Sequence, residues 1–243
     1  MRLAEDSLIP LYEQVMADIR QGIEGGHYHA GEKIPSESEL SEMYQVSRIT
    51  IRRAIEELSS EGFLTKRQGK GTYVNPPKLK KKIMLRGPLQ SLTELCAEYR
   101  RVAGARTLGV SRIKACGELA NKLALEEGAE VISVRRIRTV DGNPMIEETT
   151  FFPADEYAFI ENEGLDDASI FSTFALHDCR MPARMVNVEV EMVRANAKLS
   201  EELHVSLGEP MFSEVGTVVD EQGVPVFVGK LLVLASQFGF RIL

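Results

Sequence analysis

PSESELSEMYQVSRITIRRAIEELSSEGFLTKRQGKGTYV, residues 35–74, carries two helix starts separated by one tight turn. Ser36 with Glu39 three residues on is a capping box, which predicts a helix that buries Leu40 and Met43. Gln45 and Val46 then make a turn, and Ser47 caps a second helix, with Val46 placed to pack back onto it. In that helix Ile51, Ala54, Ile55 and Leu58 recur at three- and four-residue spacing and form a buried stripe. Arg48, Thr50, Arg52 and Arg53 are left to solvent or to a partner. After Gly62, residues 63–65 and 72–74 read as two short strands around a basic tip, KRQGKG at 66–71.

The charge of this stretch sets it apart. Between Ser47 and Lys82 ten lysines and arginines face three glutamates, a local +7 in a 243-residue chain of formal charge −7. A basic face on a helix is often only a solvated surface. Here an acidic chain carries one strongly basic segment, and a polyanion such as duplex DNA, with a charge about every 1.7 Å of axis, accounts for it. A single helix fits the major groove.

LYEQ at 11–14, GEKIPSE at 31–37, VSRITIRRA at 46–54, Leu58, Glu61-Gly62 and QGKGT at 68–72 resemble the winged helix-turn-helix of GntR-type bacterial transcription regulators. The resemblance implies a regulator whose partner is double-stranded operator DNA. By it, Arg48 and Arg52 touch bases or phosphates, and Gly69 at the wing tip enters the minor groove. The contact set it implies runs from Ser36, Ser38, Ser47 and Thr50 through Arg53 to Lys66, Gln68 and Lys70. Many members carry an arginine where this chain has Ser38, a change that bears on the operator sequence rather than on DNA binding.

Outward from this stretch, a first helix is expected from Pro10 to about Glu24, with Leu11, Val15, Ile19 and Ile23 inward and Tyr12 and Met16 widening the stripe. Two prolines at 76 and 77 and the lysine-rich run after them read as a linker over residues 76–86, between a DNA-binding domain at 1–75 and a second domain at 87–243. No apolar run approaches a membrane span and no signal peptide opens the chain, so a cytoplasmic protein is expected. Cys96, Cys116 and Cys179 lack metal-site spacing and read as buried thiols, and no metal or cofactor is expected. His27, His29, His177 and His204 carry no ligand pattern.

The second part holds a weak duplication at an offset of about 80 residues. A short helix, Gly128, and a hairpin with Pro144 correspond to a short helix, Gly208, and a hairpin with Pro225. The fold class is therefore α+β: a winged helix-turn-helix joined to a mixed domain with an antiparallel sheet. Residues 185–193 alternate and read as a half-buried strand.

Residues 131–140 put Ile132, Val134, Arg136, Arg138 and Val140 on one face of a strand, with Arg135 on the other. Two arginines finishing an apolar face need a carboxylate, a bound anion, or both. A three-residue turn at 141–143 would bring Glu148 opposite Arg136; a two-residue turn would bring Glu147. Ordinary cross-strand ion pairs remain open as an alternative. Ser91 and Glu94 form another capping box, opening a helix whose first turn also holds Thr93.

LQSLTE at 89–94, RIR at 136–138, DGNP at 141–144, Glu148 and FFP at 151–153 resemble the effector-binding domain of the HutC branch of GntR regulators, a fold related to chorismate lyase. By this resemblance Ser91, Leu92 and Thr93 lie near an effector's phosphate or carboxylate, Arg136 and Arg138 bind its anionic groups, and Glu148 accepts from it. Members that sense amino-sugar phosphates carry a glutamate and a tyrosine where this chain has Phe227 and Val233. The expected effector is a small organic anion with an apolar portion. The expected assembly is a homodimeric repressor on a palindromic operator. A DNA-binding dimer without small-molecule ligand, and a lyase-like enzyme, are the alternatives.

Overall fold

The computed structural model describes residues 8–67, 69–83, 88–177 and 179–242. The chain divides into two compact units between Lys78 and Leu79.

In the first unit, α1 (Leu11–Glu24), α2 (Glu37–Tyr44) and α3 (Arg48–Ser60) precede a hairpin of β1 (Leu64–Arg67) and β2 (Gly71–Val74). Both expected caps form. Ser36 Oγ accepts from Glu39 N at 3.3 Å while the Glu39 carboxylate accepts from Ser36 N at 2.7 Å, and Ser47 Oγ accepts from Thr50 N at 3.2 Å. Gln45 turns the chain in the left-handed region at φ 54°. The core joins Val15 and Ile19 of α1 to Leu40, Ile51, Ile55, Leu58, Leu64 and Val74.

Two expectations about this core fail. Met43 is 56% exposed and Tyr44 is buried in its place, where it packs against α1 and its hydroxyl donates to Asp18 at 2.7 Å. Leu11 is 40% exposed, since the inward stripe of α1 begins only at Val15.

The second unit opens with β3 (Leu79–Ile83), which corrects the linker expected over residues 76–86. β3 pairs in parallel with the last strand, β10 (Phe238–Ile242). The lysines hid a period of two, in which Leu79 and Ile83 are buried and Lys81 shares their side of the strand. There follow α4 (Leu92–Glu98), β4 (Ala103–Lys114), α5 (Glu118–Leu123), β5 (Glu130–Val140) and β6 (Asn143–Pro153). Next come α6 (Ala154–Tyr157), a 3₁₀ turn (Ala158–Asn162), α7 (Ile170–Phe174), β7 (Arg184–Arg194), α8 (Ala197–Leu203), β8 (Pro210–Val219) and β9 (Pro225–Leu234).

One six-stranded antiparallel sheet runs in the order β4-β5-β6-β9-β8-β7. That order is a mirror about its centre, because the duplicated unit is larger than helix plus hairpin and includes the strand before the helix. Ala115 N donates to Ala129 O and Gly128 N to Ala115 O; eighty residues later Ala195 and Gly208 repeat both bonds. Helix α5 packs on β9 and α8 on β6, each crossing to the other repeat on one face of the sheet. Two further cores lie on the opposite face, around Phe152, Phe174 and Phe227 and around Leu79, Leu95 and Val233. In β7 a register shift between Val186 and Glu189 breaks the expected alternation, and Val190 and Met192 are exposed. Of the cysteines only Cys96 is buried, while Cys116 is exposed.

Candidate functional site

The basic surface of the first unit is built by α2, α3 and the hairpin. Arg48 Nη2 donates to Ser38 Oγ at 2.8 Å, which fixes the first arginine of α3 against α2. Glu37 receives Arg52 Nε at 3.1 Å and Lys66 Nζ at 3.3 Å, so one carboxylate orients a cation of the helix and a cation of the wing. The Arg53 guanidinium lies 3.9 Å over the Tyr12 ring. Gly69 sits at the exposed wing tip with φ 70°, a conformation open to glycine, and Lys70 beside it is exposed. Ser36 and Ser47 have their hydroxyls engaged as caps, and Ser47 Oγ lies 2.9 Å from Thr50 Oγ1. Gln68 lies outside the described residues. The positioning role of Glu37 escaped the sequence reading, which treated it as part of the helix start.

In the second unit a cavity of about 850 Å³, its open mouth included, lies on the sheet face away from α5 and α8. Its lining brings together all eight residues expected at an effector site: Ser91, Leu92, Thr93, Arg136, Arg138, Glu148, Phe227 and Val233. β5, β6 and β9 form the floor, residues 91–93 and 169–171 close over it, and Lys81 enters from β3.

Register decides the charged end. Asp141 and Gly142 make a two-residue turn with both φ positive, at 52° and 77°, pairing Val140 with Asn143. On its own that turn would set Glu147 opposite Arg136. A bulge at Met145 adds one residue to β6 and restores Glu148 to that place, while Glu147 pairs with Arg135 on the other face. The three-residue turn does not occur; the two-residue turn does, and the bulge gives it the Glu148 pairing expected of the longer turn.

Arg136 is 1% exposed; its Nε donates to Glu148 at 2.9 Å, its Nη1 to Ala168 O at 3.0 Å, and its Nη2 also pairs with Glu148. Arg138 Nε donates to Gly104 O at 3.2 Å, and its Nη1 stands off Glu148 at 3.4 Å. Burial pushes the Glu148 carboxyl up, but Arg136 and Arg138 beside it hold it below the ordinary carboxylate value. Burial pulls Arg136 down from its own. Lys81 Nζ donates to both Glu214 oxygens at 2.7 and 2.8 Å. With Lys81 paired to Glu214, Arg136 and Arg138 share one hydrogen-bonded carboxylate, Glu148, and Asp166 adds a negative charge farther from Arg136. The Ser91 hydroxyl is engaged within its own helix, donating to Glu94 at 2.8 Å.

The rest of the lining is apolar: Phe171, Met185, Val218 and Phe227 toward one side, Ile146, Leu231, Val233 and Phe238 toward the other. The duplication explains the open floor. Shifted by one repeat, the pair Arg136↔Glu148 falls on Gly216↔Gly229, so where one repeat places two charged side chains the other places none. Gly229 lines the cavity. Sequence reading missed Lys81, Glu214 and Gly229; a glutamate inside the apolar run of β8 was the available signal.

These two sites match two known domain families. Residues 11–74 match bacterial regulatory proteins of the gntR family, and residues 98–238, more than half the chain, match the UTRA domain. The chain belongs to the GntR family, in the branch that carries a UTRA domain. This GntR regulator is 29% identical over 240 residues to the uncharacterized HTH-type transcriptional regulator YurK of Bacillus subtilis, covering 99% of this chain and 98% of YurK. It is 29% identical to the HTH-type transcriptional repressor NagR of the same organism, covering 99% and 97%. The crystal structure of PhnF from Mycobacterium smegmatis superposes with a TM-score of 0.65 at 26% identity, covering 94% of this chain and 98% of PhnF. The GntR regulator is thus a DNA-binding transcriptional regulator with a small-molecule effector domain, and its relatives are regulators rather than enzymes. Among the described residues no helix is long and apolar enough to cross a membrane.

Proposed function

We propose that the regulator is a cytoplasmic repressor that occupies a palindromic operator as a homodimer and leaves it when a small anion with an apolar portion enters the cavity. The observation that carries the ligand class is that two buried arginines, Arg136 and Arg138, share a single hydrogen-bonded carboxylate, Glu148, in the lining of a mainly apolar cavity. Two buried guanidiniums sharing one carboxylate favour an anionic group beside them. Phe227 and Val233 supply apolar wall rather than polar partners for a sugar. The relative NagR is named a repressor, which supports the direction of regulation.

The operator-reading geometry is a pair of recognition helices in successive major grooves, and an effector that changes their spacing lowers operator affinity. Linkage then requires the effector to bind more weakly to the operator-bound protein. The test is thermal unfolding of the full chain against sugar phosphates and against aliphatic and aromatic carboxylates, with Arg136→Ala alongside. An effector at about 100 times its dissociation constant adds about 2.7 kcal/mol, or several degrees. A shift that survives intact in Arg136→Ala, or no shift from any of these anions, would overturn the anionic reading.

A further inference from the structure

We propose that Ile49 is a base-reading residue that recognises a thymine through its C5-methyl group. The inference rests on α3 lying in a major groove. The other large apolar residues of α3, namely Ile51, Ile55 and Leu58, are buried to within 1% of full burial, whereas Ile49 is 78% exposed. At 100° per residue Ile49 points roughly 170° from the centre of that buried stripe, into the middle of the outward face.

Its neighbours there are cations held from behind: Arg48 by Ser38, and Arg52 by Glu37. Those guanidiniums suit phosphates or a guanine edge. A branched aliphatic side chain beside them can gain only by leaving water against another apolar group. The thymine methyl is the apolar group that a base edge presents in the major groove, and no other base pair presents one. A single exposed isoleucine elsewhere on a surface would call for no explanation. This one stands in the first turn of the recognition helix, where base edges are read.

The test begins by selecting binding sites for the full-length protein from a random duplex library. In the selected operator each thymine is then replaced singly by deoxyuridine, which removes only the methyl group, and dissociation constants are measured at fixed salt for the wild type and Ile49→Ala. The expected result is one position per half-site at which deoxyuridine weakens the wild type about fourfold, the contribution of one buried methyl, and leaves Ile49→Ala unaffected. The proposal is overturned if no thymine is selected, if no deoxyuridine weakens the wild type, or if the same penalty persists in Ile49→Ala. Arg48→Ala, measured in parallel, separates the two levels. If it weakens binding while no deoxyuridine does, Ile49 is no reader although α3 is in the groove; if it has no effect, the groove placement itself fails. An unchanged melting temperature of Ile49→Ala confirms that the substitution acts on DNA and not on folding.

Discussion

Lys81 and Glu214 lie 133 residues apart and form a buried ion pair, with the lysine nitrogen 2.7 and 2.8 Å from the two carboxylate oxygens. The Glu214 side chain is wholly buried and that of Lys81 is 14% exposed. The pair ties β3, the strand that follows the first unit in the chain, to the sheet beneath the cavity. Removing either partner leaves a charge inside without compensation. Glu214→Ala or Lys81→Ala is therefore expected to lower stability by about 3 kcal/mol in urea unfolding, and Lys81→Met with Glu214→Leu to recover most of that loss. Single losses that simply add in the double variant would show that the two charges are not coupled.

Glu148 gives a pH dependence of known sign. Burial would raise its carboxyl, yet Arg136 and Arg138 hold it below the ordinary 4.5. A carboxyl lowered by folding contributes stability that is complete above its unfolded value and is lost as pH falls through its folded value. The stability gap between wild type and Glu148→Gln should thus be full at neutral pH and narrow as pH drops below 4.5. A gap that stays constant across that range would mean that Glu148 is not held as a carboxylate between the arginines.

The same residues show which parts of the molecule could be read from sequence. Caps at Ser36, Ser47 and Ser91 act within three residues, and the stripe of α3 within one helix, so local spacing was enough to place them. Arg136 and Arg138 were legible because a period of two runs unbroken along β5. Which glutamate meets them was not, since the turn at 141–142 and the bulge at Met145 shift the register in opposite senses and only their sum decides. Lys81 was read as linker because its lysine neighbours outweighed the alternation of Leu79 and Ile83, and its partner comes from a strand far along the chain. Local rules also failed at Met43 and Tyr44, where adjacent residues compete for one inward position and only the packing against α1 chooses between them.

Gly229 sets the floor of the cavity. A Cβ added there would meet only the edge of the Phe227 ring at 3.6 Å, ordinary van der Waals contact, so a modest side chain fits without displacing backbone. Gly229→Val should retain the wild-type melting temperature within a few degrees while filling space that a ligand would use. In the anion panel its ligand-induced shift should fall well below that of the wild type. An undiminished shift would place the ligand away from β9 and leave the glycine pair as a feature of sheet packing alone.

The wing offers a test of how its cations divide the work. Lys66 already shares its charge with Glu37 at 3.3 Å and Glu56 at 3.8 Å, whereas Lys70, next to Gly69 at the exposed tip, makes no ion pair with the described residues. A cation that neutralises a phosphate releases a counterion, so each such contact adds about 0.9 to the slope of log affinity against log salt. Lys70→Ala should lower that slope by about 0.9 and weaken operator and unrelated duplex alike. Lys66→Ala should change it less, because Glu37 and Glu56 already neutralise part of its charge. Equal slopes for Lys70→Ala and wild type would take the wing tip off the phosphate backbone, and a loss confined to the operator would make Lys70 a reader of bases instead.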